Sequence, residues 1–101
     1  MADEDAERRR AYDMSLDELR AEIADIDREL VELVAQRTYV AETIARVKAE
    51  AGLPTTDEHQ EARVIERAGE NAERFDLDPA AIREVFERLI ELNKENQRAN
   101  R

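Results

Sequence analysis

Arg37 interrupts a run of the sequence in which every third or fourth residue is apolar. Leu19, Ile23, Ile26, Leu30, Leu33, Val40, Ile44 and Val47 follow one another in steps of four and three, and Arg37 takes the place between Leu33 and Val40. A guanidinium on such a seam requires either a protein carboxylate or an anionic ligand, because burying it unpaired is costly. Spacing alone leaves both open, and an intramolecular salt bridge is the plainer choice. Lys48 follows eleven residues later, on nearly the same helical face. Two cations ~16 Å apart along a helix axis, each on a long stem, can turn inward onto one small anionic molecule. Lys48 is one of two lysines against fourteen arginines. A compact ammonium suits a point-like acceptor, although a solvated surface lysine is the ordinary alternative.

Further polar residues extend the pattern. Arg20 is a third cation near this face, but it precedes Arg37 by seventeen residues, ~25 Å of helix, too far to meet the same small ligand within one chain. Antiparallel pairing of two such helices about Leu33 would bring the partner's Arg20 opposite the stretch between Arg37 and Lys48. It would make two equivalent three-cation sites per dimer. Glu61 shares the side of its helix that carries Val64, Ile65 and Ala68, where it also serves as a first-turn acid complementing the helix dipole. Asn93 and Gln97 continue the Phe86, Leu89 and Ile90 side of the last helix, or else end it as a fraying turn in water. His59, the single histidine, falls on a polar stretch and reads as surface.

The elements that must position these residues are helices. Residues 1–14 are charged, lack a clear apolar repeat and read as a flexible tail, leaving 15–101 as one domain. Ser15 and Glu18 have the spacing of a capping box, and nothing breaks the seam from there until Gly52 and Pro54. A helix from about Ser15 to about Glu50 would be ~50 Å long and cannot bury its seam within a monomer of this size. Thr55 with Glu58 offers a second capping box, for a helix that should fade between Gly69 and Glu73. Phe75 and Leu77 fall in the connection. Asp78-Pro79 is a helix start, and Ile82, Val85, Phe86, Leu89, Ile90 and Leu92 line a third helix to about Asn96. The fold class is therefore all-α: three helices per chain, one very long and N-terminal, in an intertwined antiparallel homodimer.

Composition narrows the chemistry. The chain has 101 residues with 2 Gly, 2 Pro and 4% aromatics, which favours long helices over sheets. With no cysteine and one histidine, disulfides, thiolate catalysis and cysteine- or histidine-built metal sites fall away, so no metal or cofactor is expected. A net charge of −10 argues against nucleic acid as a partner, and no apolar run is long enough to span a membrane. The expectation is a soluble, cytoplasmic protein. Its acid-rich, lysine-poor surface suits concentrated salt, which screens self-repulsion, so a halophilic source is expected as well.

The run Leu19-Arg20, Ile23, Ile26-Asp27, Leu30, Leu33, Arg37, Ile44, Lys48, Pro54, Asp57, Glu61 resembles the all-helical class of chorismate mutases, a likeness that covers about residues 15–98 and extends to Phe86 and Gln97. The resemblance implies a homodimer that rearranges chorismate to prephenate in the shikimate pathway of aromatic amino acid biosynthesis. It implies that Arg37 and the partner chain's Arg20 clamp the two substrate carboxylates. It gives Lys48 and Gln97 the ether oxygen, and Glu61, with the backbone near Asp57, the ring hydroxyl. Gln60 stands where many members carry Arg, which removes a charge; Asn93 stands where a small hydroxyl residue is common, and can still donate to a carboxylate. A one-step pericyclic shift needs no nucleophile, base, metal or cofactor, only orientation and stabilisation of charge on the ether oxygen. Gln97, a neutral amide, donates without needing acidic pH. On this reading Lys48 matters and Lys94 does not. Two rivals share the fold features: a lyase releasing pyruvate from isochorismate, and a non-catalytic helical dimerisation module.

Overall fold

The computed structural model of the chain describes residues 13–99, so most of the expected charged tail lies outside the described residues. Three helices form, α1 (Leu16–Glu50), α2 (Glu58–Arg74) and α3 (Pro79–Ala99), with no strand among the described residues. None of these helices is long and apolar enough to cross a membrane. The chain divides within α1 into two compact units, one up to Ala35 and the other from Gln36 onward.

In the first unit α1 starts as its capping box requires. Ser15 Oγ accepts the Glu18 N–H at 3.1 Å, and Glu18 Oε1 accepts the Ser15 N–H at 3.5 Å. The side chains of Ile23, Ile26, Leu30 and Leu33 are exposed, and α1 has no buried residue anywhere along its length.

The second unit holds the end of α1 together with α2 and α3. Helix α1 ends where Gly52 takes φ 72°, a left-handed conformation that costs glycine nothing. That turn lets the Leu53 N–H reach the Lys48 carbonyl at 2.8 Å and the Gly52 N–H reach Ala49 at 3.1 Å. The start of α2 differs from expectation. Asp57, extended at φ −132° and ψ 100°, is the N-cap, and its carboxylate accepts the Gln60 N–H at 3.2 Å. The expected Thr55–Glu58 box does not form. A carboxylate meets the exposed N–H groups and the positive end of the helix dipole together, and a hydroxyl meets only the former. With Asp57 as cap, Thr55 and Thr56 stay outside the helix.

Helix α2 also runs past its expected end, to Arg74. Gly69 lies within its most buried stretch, with Ala68 and Ala72, and is no terminator. A methyl group at position 69 would come 2.5 Å from Arg83 Nε of α3, so the missing side chain is what admits Arg83. The helix closes at Asp76, left-handed at φ 56°, with the Leu77 N–H on the Ala72 carbonyl at 3.0 Å. Short polar residues tolerate that conformation better than most. Asp78 then caps α3 through the Ala80 N–H at 3.0 Å, as the Asp-Pro pair predicts. Helices α2 and α3 pack along each other, with Val64, Ile65, Ile82, Phe86, Leu89 and Ile90 half-buried around Ala68 and Ala72. Val85, expected on this stripe, is exposed. Helix α3 outlasts its expected end at Asn96, which keeps Asn93, Lys94 and Gln97 in regular helix.

The cap gives a pH-dependent expectation. The Asp57 carboxyl lies below its usual pKa, first because the Gln60 backbone N–H binds the ionised form; the nearby positive charge of Lys48 adds to this, and partial desolvation opposes it. A depressed folded-state pKa contributes stability that is complete above the unfolded value of about 3.9 and is lost as pH falls through the folded one. Asp57→Ala should therefore lower the melting temperature at neutral pH, and the gap from wild type should shrink as the pH drops below about 4. Melting curves across pH 2–7 check this; a gap independent of pH would count against the cap.

Candidate functional site

One cavity of about 150 Å³ opens within the second unit. From α1 it is lined by Arg37, Ala41, Ile44 and Ala45, and from the loop before α2 by Thr55 and Thr56. Helix α2 contributes Gln60, Glu61 and Val64, and α3 contributes Ile90, Asn93, Lys94 and Gln97. Four residues singled out by spacing, Arg37, Glu61, Asn93 and Gln97, thus converge from three helices. Their positions follow from helical periodicity: Arg37, Ala41, Ile44 and Ala45 share one face of α1, and Ile90, Asn93, Lys94 and Gln97 share one face of α3.

Arg37 has no carboxylate partner among the described residues. Its Nη1 donates instead to Asn93 Oδ1, and its guanidinium carbon lies 5.9 Å from the centre of the Phe86 ring. A neutral amide and an aromatic face orient the cation without cancelling its charge. The ordinary expectation for a seam arginine, an internal salt bridge, is not what the fold provides. Asn93, far from fraying in water, is only 5% exposed, and its Nδ2 donates to Thr38 Oγ1 at 2.8 Å. Arginine has only donors, so the amide must turn its oxygen to Arg37 and its nitrogen to the threonine. A second tie joins the same helices, where Asn96 Nδ2 donates to Glu42 Oε1.

Glu61 is held by Lys94, Nζ to Oε1 at 2.6 Å, with both side chains 26% exposed. Lys94, read from the sequence as having no part, lines the cavity. Its signal was present in the spacing of Ile90, Asn93, Lys94 and Gln97, the stripe of a single helix face. Gln60, expected to be a neutral departure, also borders the cavity.

Lys48 and Asp57 are not on the lining. Lys48 is half-buried and acts on Asp57 through its charge. Arg20 belongs to the first unit, where it is exposed and 4.0 Å from Asp17, a long surface pair of little energetic weight. His59 is exposed, as expected.

The lining thus offers two cations, one carboxylate, three amides and two hydroxyls over an apolar floor of Ala41, Ile44, Ala45, Val64 and Ile90. No thiol or imidazole is among them. Such a set binds and orients a small polyanion through an arginine fork and amide donors.

Comparison with known proteins bears on what that anion is. The profile of the chorismate mutase type II family matches residues 19–98. A chorismate mutase of Methanocaldococcus jannaschii is 30% identical over 83 residues, covering 82% of this chain and 84% of that protein. The T-protein of Haemophilus influenzae is 29% identical over 83 residues, covering 82% of this chain but 22% of that longer protein.

Proposed function

Given that the chain belongs to the chorismate mutase type II family and is an isomerase with that activity, we propose that it turns chorismate into prephenate in two cavities shared across an antiparallel homodimer. Arg37 takes one substrate carboxylate and the partner subunit's Arg20 the other. Lys48 and Gln97 donate to the ether oxygen of the breaking C–O bond. Glu61, with the backbone at Asp57, takes the ring hydroxyl, and Asn93 supports the carboxylate end.

The observation that carries this reading is Arg37, a cavity-lining cation held by an amide and a ring in place of a carboxylate. Such a group is pre-set for an anion that arrives from solution. The reaction asks for that kind of site. Folding the enolpyruvyl side chain over the ring fixes the reacting carbons, and donors aimed at the ether oxygen act most strongly when charge builds there. Dimerisation is supported by the exposed apolar seam of α1, in which Ile23, Leu30, Leu33, Val40, Ile44 and Val47 are each more than half exposed. A continuous heptad stripe in water is costly at ~25 cal/mol per Å², and a second copy of the same helix relieves it.

Offering chorismate and isochorismate to the purified protein in parallel, with light scattering for mass, tests the reading. Prephenate should form from chorismate, no pyruvate should leave isochorismate, and the mass should be that of two chains. Pyruvate release without prephenate would move the site to the lyase, and a monomer active at full rate would remove the shared cavity.

A further inference from the structure

Lys94 stands in the cavity with its ammonium 2.6 Å from Glu61, and the two side chains are equally shielded. Without that contact, the cavity would hold Arg37 and an unpaired carboxylate. We infer that Lys94 is a positioning residue that cancels the charge of Glu61 and fixes its carboxylate, so that a dianionic ligand can enter beside it; this rests on the chorismate reading above. Several features support the assignment. Glu61 and Lys94 come from different helices, so the pair is no by-product of one helix's i,i+4 spacing. Their neighbours on the lining, Gln60, Asn93 and Gln97, are neutral amides, so no other cation of α2 or α3 on the lining can do the same. The chain uses arginine in fourteen of sixteen basic positions, yet a lysine stands here. A compact ammonium can pair with Glu61 without projecting a fork into the space a ligand needs.

The electrostatic consequence is direct. With the pair intact, a dicarboxylate meets a lining of net charge +1, from Arg37, Lys94 and Glu61. With Lys94 neutral, the same ligand meets a net charge of zero and a carboxylate within its own binding volume. Repulsion between like charges at such range weakens both substrate and product, and less so the rate once bound.

The experiment uses Lys94→Met, which keeps the stem, and Lys94→Gln, which keeps a donor to Glu61 but no charge. Each is followed by the KM for chorismate and the inhibition constant of prephenate. Both constants should rise on the order of tenfold in each variant, with kcat within about threefold of wild type, given a pair that is shielded but not fully buried. Adding Glu61→Gln to Lys94→Met should then lower the prephenate constant by about threefold or more from its value in Lys94→Met, because the unpaired charge is gone while the amide oxygen can still accept from the ring hydroxyl. A residue that only supports the fold would lower the melting temperature and would not be rescued by a second substitution that removes charge. An unmoved prephenate constant in both single variants overturns the inference, as does a double variant that binds no better than Lys94→Met. Wild-type turnover is measured first: its absence would refute the activity itself, whereas normal turnover with unmoved variants refutes only the part given to Lys94.

Discussion

Lys48→Ala is expected to lower kcat by a factor on the order of 10²–10³, with the KM for chorismate changed far less and the fold intact. The rate term follows from where charge appears. In the ground state the ether oxygen of chorismate is a weak acceptor, and as the C–O bond breaks it gathers negative charge. A donor aimed at that atom is therefore worth much more in the transition state than in the bound substrate. Removing one such donor from a dry site typically costs ~3–4 kcal/mol. The stability term is small. Lys48 is half-buried, and its side chain forms no hydrogen bond or ion pair among the described residues. Its contributions to the fold are a favourable charge in the last turn of α1 and a field that favours ionised Asp57. Steady-state kinetics with a melting curve on the same preparation decides the matter. A variant with wild-type kcat would take the ether oxygen away from Lys48 and leave it to Gln97 alone.

The parts of this fold that could be read from the sequence are those set by local chemistry. Ser15 with Glu18, Gly52 before Pro54, and Asp78-Pro79 each carry their own stop or start signal, and the heptad seam runs unbroken between the first two. The misreadings arise where two local signals compete or a distant residue decides. Thr55 and Asp57 both offer caps two residues apart, and only the register of the helix shows that Asp57 prevails. Gly69 looks like a helix end until Arg83, fourteen residues later, turns out to occupy the space its missing side chain leaves.

The site divides the same way. Arg37 was conspicuous because it breaks a pattern, and Glu61, Asn93 and Gln97 because they extend one. What those residues bond to was not legible. The partner of Arg37 is Asn93 on another helix, and the partner of Glu61 is Lys94, across a pairing that no spacing within one helix encodes. Lys94 shares the periodicity of Asn93 and Gln97. A lone lysine near a helix end nevertheless reads as a solvated one until the facing carboxylate is known.

Arg37→Ala and Arg20→Ala are each expected to reduce turnover by on the order of a hundredfold or more, since each removes a charge-assisted clamp on a carboxylate. Mixed together, they should recover. Arg20 lies seventeen residues before Arg37, ~25 Å of helical rise, so a chain cannot bring both to one small ligand. If the sites are shared, a mixed dimer carries both lesions in one site and none in the other. Unfolding the two variants together and refolding them at equal amounts makes about half the dimers mixed, each with one intact site of two. The preparation should therefore show about a quarter of wild-type activity, far above either parent. In the single chain the Arg20 side chain is exposed and 4.0 Å from Asp17, so its removal leaves that chain's own packing unchanged, and light scattering on Arg20→Ala checks that the dimer is retained. Parallel pairing, or a site built within one chain, predicts that the mixture is no better than the average of the two parents. Recovery to about a quarter requires that Arg20 act across the dimer, and it would tie the long exposed seam of α1 and the chemistry of the cavity to a single cause.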